Sequence, residues 1–179
     1  MKSIIFQFIT VIVFLSCNKN LKVDNSNENF RSESNDIEIL DSTNIALHYK
    51  TKKFEVAIFP KEYKDFLPEK RFTPTKSEIE KAELALETKL KNINKEQINQ
   101  SSSPIIDKNL HKYRRQYFGC IDDNGKKYLL INCFWSDREN SKGWLNGMIM
   151  VLDGGSYYWE IEYYIENDEL KNLSINGYA

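Results

Sequence analysis

The alternation of apolar and polar residues divides the chain into a first strand region, one helix and a second strand region. In residues 44–59, apolar side chains alternate with polar ones on both sides of a Lys-Thr-Lys-Lys centre. This pattern predicts two short strands and favours a hairpin. Pro60 has no amide hydrogen to give to a strand ladder, so the second strand is expected to end there.

A helix is predicted to begin after Thr75. The segment Thr-Lys-Ser-Glu is a capping box, in which the side chains of Thr75 and Glu78 each satisfy a free backbone amide. Apolar residues then recur at helical spacing and form one stripe: Ile79, Ala82, Leu86, Leu90 and Ile93. A polar linker follows, and its Pro104 blocks further helix, so the helix is expected to end near Lys95.

From Lys112 onward, the pattern predicts antiparallel strands joined by tight turns. KYRRQYFGCI and KKYLLINCFW flank an Asp-Asn-Gly turn, MIMVL and YYWEIEYYI flank a Gly-Gly turn, and LKNLSINGY follows. The predicted fold class is α+β, with one helix packed on an antiparallel sheet of about four to six strands, as in cystatin-like or NTF2-like folds.

The Asn-Gly turn also predicts which residues share a face of the sheet. A two-residue turn would place Phe118, Cys120, Leu129, Ile131 and Cys133 together on the core face. The opposite face would then be open, aromatic and rich in hydrogen-bonding groups. Its candidate binding residues are Arg115, Tyr117, Tyr128, Asn132, Tyr158 and Glu160.

The same register predicts that Cys120 and Cys133 are free thiols. Cys133 would lie opposite Gln116, about 13 Å along the strand from Cys120. This separation is well beyond the ~7 Å that a disulfide tolerates between α-carbons.

The N-terminus has the pattern of a secretory signal. Lys2 precedes an apolar run over residues 4–15, and small Ser16 comes just before Cys17. The ending Phe-Leu-Ser-Cys resembles the bacterial lipoprotein box, which implies removal of residues 1–16 and lipidation of Cys17. Acyl chains there would hold the protein on a membrane. Residues 17–43 are then the lipidated cysteine and a flexible Asn- and Ser-rich tether, and residues 44–179 are a single α+β domain.

Composition narrows the classes of partner. The 179 residues carry a formal net charge of −1, whereas a dedicated nucleic-acid binder usually has a basic excess, so no nucleic-acid partner is expected. No stretch reaches the ~18 consecutive apolar residues that span a bilayer. Cysteine and histidine spacings fit no zinc site, and the glycines form no phosphate loop, so neither a metal nor a cofactor is predicted.

Catalytic chemistry has weaker support than binding, and no catalytic residue is assigned. His48 and His111 are the only histidines available as a base for a nucleophile. Glu160 and Glu162 would project to the same side of a strand about 7 Å apart, a spacing that a carboxylate pair for glycoside cleavage uses. A small envelope hydrolase that uses Glu160, Glu162 or His111 is therefore the alternative to a binding module.

Several segments resemble a family of uncharacterised Bacteroidota lipoproteins: RFTPTKSEIEKAE, RRQYFGCIDDNGKKYLLINCFW, DGGSYYWEIEYY and the terminal LSINGYA. The resemblance covers most of residues 50–179. It implies a location in the bacterial cell envelope, on the periplasmic or surface face of the outer membrane, and no established activity. The expected function is that of a lipid-anchored binding or interaction module whose partner is a protein, a peptide or a glycan.

Overall fold

The computed structural model describes residues 37–39, 43–137 and 142–178, which belong to one compact unit. The predicted signal peptide, Cys17 and most of the predicted tether lie outside the described residues. Within the described ranges, no helix has both the length and the apolar character that a membrane crossing requires.

The domain is built from one helix and one eight-stranded sheet. The strands are β1 (Ile37–Ile39), β2 (Leu47–Lys50), β3 (Glu55–Phe59), β4 (Arg71–Phe72), β5 (Tyr113–Ile121), β6 (Lys127–Trp135), β7 (Tyr158–Tyr164) and β8 (Glu169–Ile175). Their order is β1-β2-β3-β5-β6-β7-β8, and β4 pairs with β5. The helix α1 spans Lys76–Ile93. The predicted α+β class, one helix on a mostly antiparallel sheet, is confirmed.

The sheet differs from the prediction in size and in one strand pair. It has more strands than expected because β1 and β4 are too short to give a sequence pattern, and β1 lies within the segment predicted as tether. Strands β3 and β5 are parallel, whereas the other pairs are antiparallel. The chain between them contains α1, and parallel neighbours require such a crossover connection.

The helix begins and packs as its sequence predicts. The Thr75 hydroxyl accepts a hydrogen bond from the Glu78 amide, and the Glu78 carboxylate accepts one from the Thr75 amide at 2.7 Å. The first four residues of the predicted apolar stripe are fully buried, but Ile93 is 36% exposed. The helix ends at Ile93 with Asn94 as its C-cap, slightly before the predicted end at Lys95.

The predicted register of the β5–β6 hairpin is wrong by one residue. Asp122 accepts hydrogen bonds from the amides of Asn124 and Lys126, and Gly125 adopts a φ of +80°. This arrangement lengthens the turn, so Ile121 pairs with Lys127. Since side chains alternate between the two faces of a strand, a shift of one residue changes which side chains of β5 and β6 share a face.

A buried core lies on each of the two faces of the sheet. The face beneath α1 carries apolar residues from β5, β6 and β7: Tyr113, Tyr117, Leu129, Ile131, Cys133, Trp159, Ile161 and Tyr163. The opposite face packs against residues that follow β3 and β6, among them Tyr63, Trp144 and Leu145. Cys120 belongs to this second core, so the two cysteines lie on opposite faces, and both are free thiols as predicted.

Gln116 holds the second layer onto the sheet. Its side-chain amide donates hydrogen bonds to the carbonyls of Trp144 and Gly147, both at 2.7 Å, and its oxygen accepts one from the Ile149 amide at 2.8 Å. Residues 148–152, predicted to form a strand, instead run across the sheet as irregular chain, and β6 pairs directly with β7. Part of the face that was expected to be open is consequently covered.

Candidate functional site

The structure divides the six predicted binding residues between the two faces of the sheet. Arg115 and Tyr117 point toward α1 and are 1% and 0% exposed, so they do not belong to an open face. This part of the prediction is wrong, because the register shift changed the side of the sheet on which they lie. The other four residues, Tyr128, Asn132, Tyr158 and Glu160, share the face opposite α1.

Arg115 and Tyr117 bind a carboxylate of α1. Arg115 donates to both oxygens of Glu83, at 2.6 and 2.8 Å, and the Tyr117 hydroxyl donates to the same carboxylate at 2.7 Å. Burial alone would lower the pKa of Arg115, but the Glu83 carboxylate raises it by more. Burial and the Glu83 charge together raise the pKa of Tyr117 well above its ordinary value. Arg115 therefore stays charged and Tyr117 stays neutral, and both side chains connect the sheet to Glu83 on the helix.

A cleft of about 550 Å³ lies beside this ion pair, between α1, the β2–β3 turn and residues 107–111. His111 lines it. Its four carboxylates each accept a hydrogen bond from a protein donor: Glu80 from Tyr49, Glu83 from Arg115, Glu87 from Lys53 and Asp107 from Asn94. None of the orphaned buried polar atoms in the described residues belongs to this cleft. The cleft therefore offers space without an unsatisfied buried group.

A smaller groove of about 210 Å³ lies on the opposite face, between β6, β7 and β8 and the segment 148–152. We call it the Glu160 groove. Three of its residues are neighbours across adjacent strands, because Asn132 pairs with Glu160 and Glu160 pairs with Ser174. Opposite neighbours in antiparallel strands have Cβ atoms about 5 Å apart. The groove thus brings together two of the predicted binding residues, and Tyr158 also lines it.

The Glu160 carboxylate has no hydrogen bond or ion pair with any part of the chain that the structure describes. It is half-buried, and this burial, followed by the nearby charge of Glu162, raises its pKa. A buried charge without partners is unfavourable unless something binds it. Glu162 differs, because it accepts a hydrogen bond from Asn172 at 2.7 Å.

Asn132 presents a second acceptor to the groove. Both hydrogens of its amide nitrogen are used, one on the Gln116 side-chain oxygen at 2.9 Å and one on the Ile149 carbonyl at 2.8 Å. A carbonyl can only accept, so the orientation of this amide is fixed. The Asn132 side-chain oxygen receives no donor from the described residues.

The aromatic part of this face is mostly occupied by contacts within the protein. Tyr128 is 9% exposed and stacks on Tyr164 with ring centroids 5.3 Å apart. The ammonium of Lys171 lies over the Tyr164 ring at 5.1 Å. Little of the Tyr128 ring remains for a partner, so the polar groove is the more accessible part of the face.

The residues of the alternative hydrolase do not come together. Glu160 and Glu162 project from the face opposite α1, whereas His111 lines the cleft beside α1. Among the residues that the structure describes, no group of three or more His, Cys, Asp or Glu side chains could hold a metal ion.

Two structural residues, Glu83 and Gln116, were not assigned from the sequence, although Glu83 left a signal. Glu83 lies four residues after Ile79 and three before Leu86, so it falls on the apolar stripe of α1. A carboxylate at such a position predicts a buried partner. Gln116 lies between Arg115 and Tyr117 on β5, and its role depends on the covering segment 144–149, which the sequence pattern did not reveal.

Comparisons with family models, with curated proteins and with solved structures found no match for this chain. The function is accordingly inferred from the geometry and chemistry of the described surfaces.

Proposed function

We propose that this protein is a lipid-anchored binding module of the bacterial cell envelope. Support for the anchor comes from the sequence, in which a charged residue, an apolar run and a small residue precede Cys17. Acylation of Cys17 would attach the protein to a membrane, and the tether would separate the domain from the membrane surface. We also propose that the protein is related to the Bacteroidota lipoproteins that it resembles and that its fold is cystatin-like.

The binding surface in this proposal is the part of the predicted face that stays accessible, and its centre is the Glu160 groove. The observation that supports it is the half-buried Glu160 carboxylate, which has no partner in the described structure. Charged groups that are unsatisfied within the fold are kept where binding needs them, at the expense of stability. The partner in this proposal is a protein, a peptide or a glycan of the envelope. No observation favours the hydrolase instead, because His111 lies on the other side of the sheet from Glu160 and Glu162.

The anchor is tested by replacing Cys17 with serine in the full chain expressed in a bacterium that processes lipoproteins. We expect the wild type to incorporate a fatty-acid analogue and to sediment with membranes, and Cys17→Ser to do neither. Incorporation of the label into Cys17→Ser at the wild-type level would refute the anchor.

The binding surface is tested by photo-crosslinking in intact cells. A photoreactive residue at Ser174, which is exposed beside Glu160, should yield a discrete adduct. The same residue at Glu87, which is exposed on α1, is the matched control. The proposal predicts an adduct specific to position 174. Identical crosslinking patterns at both positions, or no adduct at either, would count against it.

A further inference from the structure

Two polar groups of the Glu160 groove are acceptors that lack donors. Glu160 and the Asn132 side-chain oxygen receive no hydrogen bond from the described residues. Asn176 also lines the groove, and its side-chain amide nitrogen donates hydrogen bonds to the carbonyls of Val151 and Asp153. The amide donors of Asn132 and Asn176 are used internally, so the groove favours a ligand with several donors and a positive charge.

We propose that the Glu160 groove binds the lysine or arginine side chain of a peptide or protein partner. This inference rests on the proposed binding function and specifies the chemistry of the partner. An ammonium carries three donors and a guanidinium five, and neither has an acceptor. Either group would satisfy Glu160 and Asn132 together and would offset the burial of the Glu160 charge.

The charges around the groove favour a cation. Glu162 lies two residues from Glu160 on the same strand and projects to the same side. On β8, Lys171 pairs with Glu162 in register, but its ammonium is 2.9 Å from the Glu169 carboxylate. Glu160, Glu162 and Glu169 thus contribute three carboxylates to this part of the face, against the one ammonium of Lys171.

The walls of the groove suit an aliphatic stem. Met150 and Leu152, in the segment that forms one wall, are 53% and 94% exposed. Lysine and arginine pack their methylene groups along apolar surface while the charged end reaches a polar partner. The volume of about 210 Å³ is below the ~300 Å³ at which small-molecule sites begin, and it suits one side chain.

The inference is tested with the purified full-length protein and three acetylated, amidated tripeptides of the form Gly-Xaa-Gly. Xaa is lysine, its uncharged analogue norleucine, or glutamate. Binding is measured by titration calorimetry at neutral pH and low salt. We expect the lysine peptide to bind at least about tenfold more tightly than the norleucine peptide, and the glutamate peptide not to bind. Equal affinity for lysine and norleucine would overturn the inference.

Two variants and one control locate the site. Glu160→Gln should weaken lysine-peptide binding at least about tenfold, because it removes the charge and keeps the shape. Ser174→Lys should abolish binding, because it places an internal ammonium opposite Glu160. Glu166→Gln, at an exposed glutamate beyond the end of β7, should leave binding unchanged. Wild-type affinity for the lysine peptide in folded Glu160→Gln would refute the site.

The result separates the inference from the proposed function. An adduct specific to position 174, combined with no preference for the lysine peptide, would overturn the inference and leave the binding surface in place. Specific lysine-peptide binding without any cellular adduct at position 174 would support the site chemistry and refute its use as an envelope binding surface.

Discussion

Arg115 on β5 and Glu83 on α1 form an ion pair beneath the helix, with Nε to Oε1 at 2.6 Å and Nη2 to Oε2 at 2.8 Å. Nη1 of the guanidinium donates to the carbonyls of Leu110 and Tyr113. Both charged side chains are almost fully buried. A pair of this kind contributes little net stability compared with apolar residues of the same shape, but loss of one partner leaves an uncompensated buried charge.

We therefore expect Glu83→Ala to destabilise the domain by about 3 to 5 kcal/mol. The matched control is Glu87→Ala on the same helix, since Glu87 is half-exposed and forms a surface ion pair with Lys53. That change should cost less than about 1 kcal/mol. Urea unfolding followed by circular dichroism measures both effects. The double variant Glu83→Leu with Arg115→Leu should be less destabilised than the sum of the two single variants, and strict additivity would contradict a coupled pair.

Two leucines of α1 test how the helix docks. Leu86 is 1% exposed and lies in the core beneath α1, whereas Leu84 is 59% exposed. We expect Leu86→Ala to cost about 2 to 5 kcal/mol, because it leaves a cavity. Leu84→Ala should change stability by no more than about 0.5 kcal/mol. Similar unfolding midpoints for the two variants would show that α1 does not pack on the sheet as described.

The lowered pKa of Glu55 on β3 means that the domain should lose stability in acid. Its carboxylate lies 3.0 Å from the His48 ring and 3.2 Å from the Arg114 guanidinium. The hydrogen bond from His48, opposed by burial and reinforced by Arg114, lowers the pKa of Glu55 from 4.5 to about 2. A lowered pKa in the folded state means that this stability is complete above the unfolded-state pKa. It is lost as the pH falls toward the folded-state pKa.

We expect Glu55→Gln to lower stability at pH 7 by about 1 to 2 kcal/mol, after allowance for solvent screening. The difference between the variant and the wild type should shrink steadily from about pH 4.5 to pH 2. Unfolding curves at several pH values measure this. A difference that is independent of pH across this window would contradict the assignment.

For Glu160, we expect stability to change with pH in the opposite direction. Burial and Glu162 raise its pKa, so the folded state holds the proton more tightly than the unfolded state does. The charged groups around it are Glu162 on the same strand and Lys171 and Glu169 on β8. Stability is therefore lost as the pH rises from the unfolded-state pKa through the raised folded-state pKa.

Glu160→Gln should consequently raise the unfolding midpoint at pH 7 and leave it unchanged well below the ordinary carboxyl pKa. Glu166→Gln is the control, since Glu166 is exposed. Thermal unfolding at both pH values gives the result. A lower midpoint for Glu160→Gln at neutral pH would indicate that the Glu160 charge has a stabilising partner in the fold.

Cys120 and Cys133 should both react with an alkylating reagent after denaturation without reductant. They lie on opposite faces of the sheet, and Cys133 pairs with Arg115, five residues from Cys120 along β5. This distance is about 16 Å along the strand. Burial raises the pKa of each thiol, which slows oxidation of the folded protein. Mass spectrometry should find both alkylated, and an intact bridge between them would refute the register.

The sequence correctly predicted those features that depend on residues close together in the chain. Thr75 and Glu78 are three residues apart and fix the start of α1, and Pro60 ends β3 because it lacks an amide hydrogen. Side chains alternate along β7, and Trp159, Ile161 and Tyr163 face the core. The fold class follows from these elements, since one amphipathic helix has to cover one face of a sheet.

The sequence pattern alone did not predict the correct register of the β5–β6 hairpin. The Asn-Gly pair predicted a two-residue turn, but the Asp122 side chain accepts two backbone amides and gives a longer turn with Gly125 at positive φ. Turns of both lengths use the same residue types, so composition does not distinguish them. One residue of difference moved Arg115 and Tyr117 from the expected open face to the core beneath α1.

By itself, the sequence determined the helix, most of the longer strands, the fold class and four residues of the face that contains the candidate site: Tyr128, Asn132, Tyr158 and Glu160. Only the tertiary structure decided what remains accessible on that face. Residues 144–149 cover much of it because Gln116 satisfies their backbone groups, and such contacts join positions far apart in the chain. Glu160 is left half-buried and without a partner among the described residues. This property depends on three strands and a crossing segment together.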